Sequence, residues 1–462
     1  MNKLTREQKE AIGLLQIGTF LEYFDLMLYV HMAVLLNELF FPKTDPHTAA
    51  LVSAFAFCST YISRPFGALL FGYIGDNIGR KTTVILTTAM MAISCTIMAN
   101  LPTYAQVGIM ATWVVTICRI VQGLSSMGEI IGAQIYISEI TKPPVGYSAV
   151  AFIAVSAALG SMAAVGVATL ATRHGFNWRI AFWIGACIAV VGSMARTRLR
   201  ETPEFVDMKR RLKNSLGQGN KKNSKKIKSL NEMSDQFSTV KVPFYTSLSY
   251  FVINCGWPLS FYIIYFYFVP TLKGTYGYTS EDIIFHNFLL TLVQVFRCTL
   301  WSVASYYIHP LRISKFKGYS CLLLMTLIPF WLSSSTNTIH IFLLQVLILL
   351  VSLNDFPSQY IFMKNFPIYK RFTATSFSYA LGRALTYVIT SFGIVYLTDW
   401  FDHWGLLVIT VPASLGFLAS ISYFEKLEKL RPGQSGSDPD HHDDQISPAD
   451  SEQGFSANPT AA

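Results

Sequence analysis

The feature that most constrains this chain is the arrangement of its apolar residues in long, nearly continuous blocks. Of its 462 residues, 52% are hydrophobic and only 14% are charged, and the mean hydropathy is +0.39. Soluble domains carry charge on about 25% of their residues, whereas apolar blocks of about 18 residues can cross a bilayer. The pattern predicts an all-α integral membrane protein. It excludes a disordered chain, a disulfide-stapled secreted module and an ordinary soluble enzyme.

About twelve of these blocks are long enough to be transmembrane helices, six on each side of a polar central segment. They lie near residues 11–36, 49–75, 82–101, 105–138, 147–172, 177–195, 243–270, 282–308, 318–335, 339–363, 373–397 and 404–424. We therefore predict two six-helix bundles, at residues 1–195 and 243–424. A basic loop at residues 196–242 connects them, and a disordered polar tail follows at residues 425–462.

The positions of Lys and Arg predict the orientation in the membrane. With the amino terminus inside, alternate loops place about 28 Lys and Arg on the cytoplasmic side and three on the other side. The central loop alone carries thirteen basic against five acidic residues. Because cytoplasmic loops are enriched in Lys and Arg, both termini are expected in the cytoplasm. The net charge of +9 is then mostly a topology signal and does not require a nucleic-acid partner.

Ionisable residues persist deep inside the predicted helices. Each costs at least about 2.5–3.5 kcal/mol to insert into hydrocarbon, so their retention favours a water-filled central cavity. Structural ion pairs between helices are the alternative. The eight residues are Glu22, Asp25, Arg64, Arg119, Glu129, Arg297, Asp355 and Arg383.

Helical spacing groups some of these residues into stripes. In the first helix the stripe is Gly18, Glu22, Asp25 and Tyr29, and in the fourth it is Arg119, Gln122, Ser126 and Glu129. Burial raises the pKa of a carboxylic acid and a neighbouring guanidinium lowers it, so such an acid can load and release a proton. We predict Glu22, Asp25 and Glu129 as proton-coupling residues. The predicted substrate-binding residues are Arg64, Arg119, Arg383, Tyr29 and Gln122.

A loop motif follows the second helix. It comprises Arg64-Pro65-Phe66-Gly67 and then Gly72-Tyr73-Ile74-Gly75-Asp76-Asn77-Ile78-Gly79-Arg80-Lys81. Its glycines permit tight helix contact and a sharp turn, and Asp76 can interact with a helix N-terminus. The motif closely resembles the loop between helices 2 and 3 of the major facilitator superfamily. That resemblance implies a gating role for Asp76, Gly79, Arg80 and Lys81, as two halves rock about a central site.

Further segments resemble the metabolite:proton symporter family, which includes proline/betaine transporters, α-ketoglutarate permease and citrate and shikimate carriers. The resemblance covers about residues 11–424 and is stronger before residue 210. It implies proton-coupled uptake of a small carboxylate or zwitterion across a bacterial inner membrane. The segments that carry it are Glu22-Tyr23-Phe24-Asp25, Arg119-Ile120-Val121-Gln122-Gly123, Met127-Gly128-Glu129, Trp178-Arg179-Ile180 and Glu201-Thr202-Pro203-Glu204-Phe205.

The second half departs from the family pattern. A second copy of the loop motif is expected after helix 8, and it is degraded to His309-Pro310-Leu311-Arg312. Arg297 nevertheless precedes His309 by twelve positions, as Arg64 precedes Asp76, which fits two related halves. Since His309 replaces the acid, a symmetric latch is not expected.

Several polar features of the second half keep more than one interpretation. The run from Asn254 to Pro258 interrupts helix 7 and is either a hinge, part of the site or an ordinary proline kink. Gln294, Gln345 and Tyr265 are candidates for lining the cavity.

Two transport hypotheses follow from the sequence, a proton-coupled symporter and a proton-independent exchanger of the same fold. A non-transporting sensor is disfavoured by the retained intramembrane charges. The sequence shows neither a nucleophile–base pair nor a nucleotide-binding loop, so it does not predict an enzyme. We expect a small-molecule substrate, the lipid bilayer as surroundings, a monomer, no metal and no cofactor other than the coupling proton. Carboxylates, proline and betaine all remain possible substrates.

Overall fold

The structure, a computed structural model, describes residues 4–42, 46–126, 130–173, 177, 179–196, 242–333, 337–354 and 356–430. The predicted central loop and tail fall almost wholly outside this part, so the domain boundaries remain predictions. Glu129 and Asp355 also lie outside the described residues, as do the side chains of Tyr29, Arg80 and Lys81.

The described residues of the first half form eight helices. They are α1 (Arg6–Phe40), α2 (Pro46–Asn77), α3 (Arg80–Asn100), α4 (Tyr104–Val107), α5 (Ile109–Ser125), α6 (Ile130–Ile140), α7 (Val145–Arg173) and α8 (Arg179–Arg196).

The second half repeats this arrangement with more interruptions. Its α-helices are α9 (Phe244–Tyr262), α10 (Val269–Gly274), α11 (Ser280–Tyr307), α12 (Pro310–Ser333), α13 (Thr338–Val351), α14 (Gln359–Lys364), α15 (Arg371–Val388), α16 (Ile394–Phe401) and α17 (Gly405–Lys429). π-helical turns follow α9 and α15, at Ile263–Tyr267 and Ile389–Gly393.

Within the described residues, twelve helical segments result when the four-residue α4 is left out and α5 with α6, α9 with α10, α13 with α14 and α15 with α16 are each taken as one. Six stretches of the described chain are long and apolar enough to cross a membrane on their own: Arg6–Met32, Ile109–Ile140, Val145–Leu170, Phe244–Gly274, Glu281–Tyr307 and Asp402–Lys429. The predicted all-α membrane fold is confirmed.

The two halves meet along two helix pairs, α2 with α15 and α7 with α11. Within the first half α1 packs on α7, and within the second half α9 packs on α15 and α17. Glycines make the first inter-half contact close, because a Cβ at Gly72 would lie 2.9 Å from the Thr373 Cα. The glycines of the loop motif therefore allow α2 to pack closely against the start of α15.

The turn between α2 and α3 requires a glycine. Gly79 has a φ of 150° and a ψ of 153°, a region that residues with a side chain rarely adopt. The corresponding turn between α11 and α12 is made differently, since Pro310 is the first residue of α12, where its fixed φ and missing N–H are tolerated. We call the end of the molecule that carries these two turns the latch end.

Candidate functional site

A cavity lies between the two halves. It encloses about 670 Å³ of space free of protein atoms, counting space open to solvent. The first half contributes α1, α6 and α7 to its wall. The second half contributes α9 and its π turn, α11, α15 and the irregular segment between α13 and α14.

The stripe of α1 that faces the cavity is Tyr23, Met27 and His31. Glu22 and Asp25, 5% and 3% exposed, are buried on the other side of α1 and do not line the cavity in this conformation. The acidic stripe predicted from the sequence thus differs from the stripe that lines the cavity, because adjacent positions of a helix point about 100° apart.

Asp25 points into the first half. A Cβ at Gly185 of α8 would collide with its Oδ1 atom, so the missing side chain of this glycine makes room for the carboxylate. The Asp25 carboxylate also lies within hydrogen-bonding reach of the Cys95 thiol of α3. The acid is therefore enclosed by helices of one half.

Arg119 and Gln122 of α5 belong to the same interior. The Nη1 of Arg119 donates to Oε1 of Gln122 at 3.0 Å, and the Gln122 amide contacts Cys95 Sγ and Met98 Sδ. Neither Arg119 nor Gln122 is among the described residues that line the cavity.

Arg64 lies on α2 near the interface between halves, 3% exposed and outside the cavity wall. Its guanidinium lies 4.4 Å from the centre of the Tyr61 ring. Among the described residues, its Nε and Nη2 have no hydrogen-bond partner. Tyr61 in turn packs on Tyr387 of α15 with ring centres 4.1 Å apart.

Arg383 of α15, which the sequence analysis predicts to bind substrate, lines the cavity. Its guanidinium lies 4.2 Å from the centre of the Tyr379 ring, and the Tyr379 hydroxyl lies 3.5 Å from that of Tyr23 on α1. Arg383 therefore stands where the two halves approach each other at the cavity.

Arg297 of α11 also lines the cavity, although the sequence analysis did not assign it to substrate. It is 1% exposed and bonds to the end of α13, donating from Nη1 to the Leu349 carbonyl at 3.1 Å and to the Ser352 hydroxyl. Its guanidinium also lies 5.0 Å from the Trp257 ring and 5.3 Å from the Phe356 ring.

A second buried cation holds the same break between α13 and α14. Lys317 of α12 is fully buried, and its ammonium donates to Oδ1 of Asn354 and to the Phe356 carbonyl. Asn354 and Phe356 line the cavity. Arg297 and Lys317 thus fix an irregular stretch of backbone, whose polar groups need partners at this depth.

Two of the three polar candidates of the second half meet at the cavity. The Tyr265 hydroxyl donates to Oε1 of Gln294 at 2.8 Å, and both residues line the wall. His31 meets the Tyr265 ring edge-on at 5.9 Å across the interface. Gln345 lies away from the wall, where it bonds to His286 and to the Ile264 carbonyl.

The halves are joined at the latch end by a polar network centred on Asp76. Its carboxylate accepts hydrogen bonds from the backbone N–H groups of Phe372 and Thr373, at 3.3 and 2.9 Å, and from the Thr373 hydroxyl at 2.7 Å. These donors form the N-terminus of α15, which carries partial positive charge. The sequence-based expectation that Asp76 meets a helix N-terminus agrees with this geometry.

A buried ion pair lies beside this contact. Arg371 Nη1 is 3.0 Å from Glu139 Oε1, and the two side chains are 4% and 0% exposed. Further along, Gln359 donates to Gln134, and Gln134 itself lines the cavity. Polar contacts between the halves therefore occur at the cavity wall as well as at the latch end.

The second-half loop makes a different contact. His309 meets the ring of Tyr147, in the first turn of α7, edge-on at 5.9 Å. Its Nε2 lies 3.3 Å from Oε2 of Glu428 on α17. No acid of this loop docks on α7, as the degraded motif predicted.

The sequence analysis did not assign His31, Gln134 or Asn354 to the cavity, and these residues gave no signal without the packing of the halves. It counted Arg297 among the intramembrane charges without assigning it to substrate, although Gln294 and Arg297 are three positions apart and share a helix face. Trp257 lies in the run from Asn254 to Pro258, for which a place in the site was one of three interpretations. Among the described residues there is no group of three or more metal-ligating side chains.

The cavity between the two halves is lined by polar groups that a small polar molecule could contact. The sequence model of the Major Facilitator Superfamily matches residues 15–391. A proline/betaine transporter of Salmonella typhimurium is 32% identical over 204 residues, which are 43% of this chain and 41% of that protein. The inner membrane metabolite transport protein YhjE of Escherichia coli is 34% identical over 197 residues, 41% of this chain and 45% of that protein. The match thus spans less than half the length of these relatives.

Solved structures share the fold over most of the chain. The proton:xylose symporter XylE bound to 6-bromo-6-deoxy-D-glucose has a TM-score of 0.73 at 14% identity, covering 91% of this chain and 95% of that one. The human organic anion transporter MFSD10 has a TM-score of 0.65 at 14% identity, covering 91% and 100%.

Proposed function

The chain belongs to the Major Facilitator Superfamily and is a multi-pass membrane transporter, not an enzyme. On that premise we propose that it is a proton-coupled symporter of a small carboxylate or zwitterion. Substrate and proton bind in the central cavity, the two halves rock about it, and both are released on the other side. No cofactor is needed, because the proton gradient supplies the driving force.

One observation carries this proposal: the cavity lies between the halves, and it is lined from one of them by Arg297 and Arg383. Guanidinium groups bind carboxylates with two parallel hydrogen bonds. The polar contacts of Asp76 and Glu139 join the halves at the latch end, and these contacts would have to break for the cavity to open toward that end. Alternating access needs such a reversible closure.

Proton coupling is supported by the buried acids of α1. Glu22 and Asp25 lie on the side of α1 that points away from the cavity stripe, and we propose that rearrangement of the first half during transport exposes them. The relative named as a proline/betaine transporter and the solved proton:xylose symporter agree with a proton-coupled metabolite carrier. Glu129 remains a third proton-coupling candidate.

The basic central loop supports an orientation with the latch end and both termini in the cytoplasm. The name of the Escherichia coli relative supports the bacterial inner membrane. We propose a monomer, because the cavity is complete within one chain, and no nucleic-acid partner. In this orientation Asp76, Gly79, Arg80 and Lys81 form the cytoplasmic gate.

The test is proton movement into proteoliposomes that hold the purified protein and a trapped pH dye. A panel of dicarboxylates, tricarboxylates, proline and betaine is added outside, and the substrate is expected to acidify the interior. Asp25→Asn and Glu22→Gln are compared with Glu281→Gln, which removes an exposed acid at the start of α11.

Loss of the acidification in Asp25→Asn or Glu22→Gln, with the control intact, supports symport. Radiolabel exchange without any pH change, unaffected by both substitutions, contradicts proton coupling and leaves the exchanger.

A further inference from the structure

We infer that the substrate is a small organic anion with more carboxylates than cationic groups, and that Arg297 is the group that binds one of its carboxylates. This inference rests on the proposed function, because it takes the central cavity as the transport site. It separates dicarboxylates from proline and betaine, which the sequence leaves open.

Arg297 is a buried cation with neutral partners. Among the described residues, its hydrogen-bond partners are the Leu349 carbonyl, the Ser352 hydroxyl and Cys298 Sγ, and no described carboxylate lies within ion-pair distance of it. The Nε atom is buried without a hydrogen-bond partner. A buried charge is costly without an opposite charge, so the cavity is completed by an anion at this position.

The rest of the described wall adds to the positive potential. Arg383 contributes a second guanidinium from α15. The remaining titratable groups of the described wall are His31, Cys298 and the hydroxyls of Tyr23, Tyr265 and Tyr379, without an Asp or a Glu. Inside a low-dielectric cavity such charges attract an anion and repel a cation more strongly than in water.

Three of the six aromatic rings of the described wall are less favourable for a quaternary ammonium group, because a guanidinium already lies beside each of them. Recognition of such a cation uses free ring faces. The guanidinium of Arg297 already lies at the rings of Trp257 and Phe356, and that of Arg383 lies over Tyr379. A betaine would have to compete with a protein cation at each of these three rings.

Two measurements on the wild-type protein test this inference without requiring proton coupling. The first is the shift in thermal unfolding temperature of the detergent-purified protein with succinate, glutarate, proline or glycine betaine. The second is counterflow of the radiolabelled compounds in proteoliposomes at equal pH on both sides. We expect at least one dicarboxylate to stabilise the protein and to exchange, and proline and betaine to do neither.

Variants then test the role of Arg297. Arg297→Gln is expected to weaken dicarboxylate binding on the order of 100-fold, mainly in KM, because it removes one partner of a buried charge pair. Arg297→Lys keeps the charge and should recover part of the loss, since it lacks the planar fork. Lys273→Gln removes an exposed positive charge outside the cavity and serves as the matched control.

The failures of the two proposals are distinguishable. Dicarboxylate counterflow without proton movement contradicts proton coupling and supports this inference. Proton-coupled uptake of betaine or proline with no dicarboxylate binding overturns the inference and leaves the symporter. Because Arg297 also holds the end of α13, Arg297→Gln can fail to fold, and the wild-type ligand panel then decides alone.

Discussion

In the first half, the last turn of α2 presents Asp76 to the start of α15, and three hydrogen bonds join them. In the second half, the equivalent loop presents His309 to the start of α7, where it contacts the ring of Tyr147 and pairs with Glu428. Both loops follow an arginine by twelve residues, yet only one carries the charge that a helix N-terminus stabilises.

The difference begins in the helix ends. Asp76 lies inside α2, which runs to Asn77, whereas α11 ends at Tyr307 and His309 lies beyond it. Pro310 starts α12, so residue 309 sits just before a helix rather than at the end of one. Asp76 and His309 each follow an arginine by twelve positions, yet they have different local backbone geometry.

The paired arginines diverge as well. Arg64 stacks on Tyr61 and lies outside the cavity wall, while Arg297 lines the cavity and holds the break after α13. The first half therefore supplies the Asp76 carboxylate that joins the halves at the latch end, and the second half supplies the charged wall of the cavity.

The largest expected effect comes from breaking the ion pair beside Asp76. Glu139→Gln leaves the buried Arg371 without its carboxylate, so we expect a loss of about 3–5 kcal/mol in stability of the closed latch end. Thermal unfolding in detergent should show a lower midpoint. The double substitution Glu139→Gln with Arg371→Gln should recover part of the loss, and a double variant as unstable as the sum of the singles would argue against pairing.

The next effect concerns Asp76 itself. Asp76→Asn replaces an acceptor-only group by an amide, and we expect it to weaken the closed latch end by about 2–3 kcal/mol, because hydrogen bonds to a charged group are worth about 1.5–3 kcal/mol. The distance between spin labels at Lys142→Cys and Arg312→Cys, measured by double electron–electron resonance, should lengthen. Asn77→Ala, at the neighbouring position, is the control, and equal lengthening in both would remove the special role of Asp76.

A smaller effect should distinguish the two turns. Gly79→Ala forces a side chain into an unfavourable backbone region and should cost on the order of 1–3 kcal/mol, whereas Pro310→Ala should cost less than about 1 kcal/mol. The check is the thermal midpoint of each variant. Equal shifts would show that the two turns are under the same constraint.

The smallest effect comes from restoring the missing acid. His309→Asp combined with Glu428→Gln places a carboxylate near the start of α7 and removes the acid that would repel it. The gain is expected to be about 0.3–1 kcal/mol toward the closed latch end, the usual size of a charge–dipole contact. Shorter distances between the same spin labels are predicted, and unchanged distances would mean that residue 309 does not reach the helix end.

The sequence determined the membrane fold, the two halves and the contact of Asp76 with a helix N-terminus. These follow from local patterns, because apolar block length, helical period and the glycines of the loop motif act over a few turns. The sequence also singled out Arg383 as a cavity residue.

Only the tertiary structure decided which of the buried charges face the cavity. Glu22 and Asp25 share a predicted stripe, yet the packing of α1 against α7 turns Tyr23 and His31 to the cavity instead. Arg64 and Arg297 have equivalent sequence positions, and their surroundings differ because α13 is broken beside one of them. Helical period fixes which residues share a face, but the direction of that face depends on the neighbouring helices.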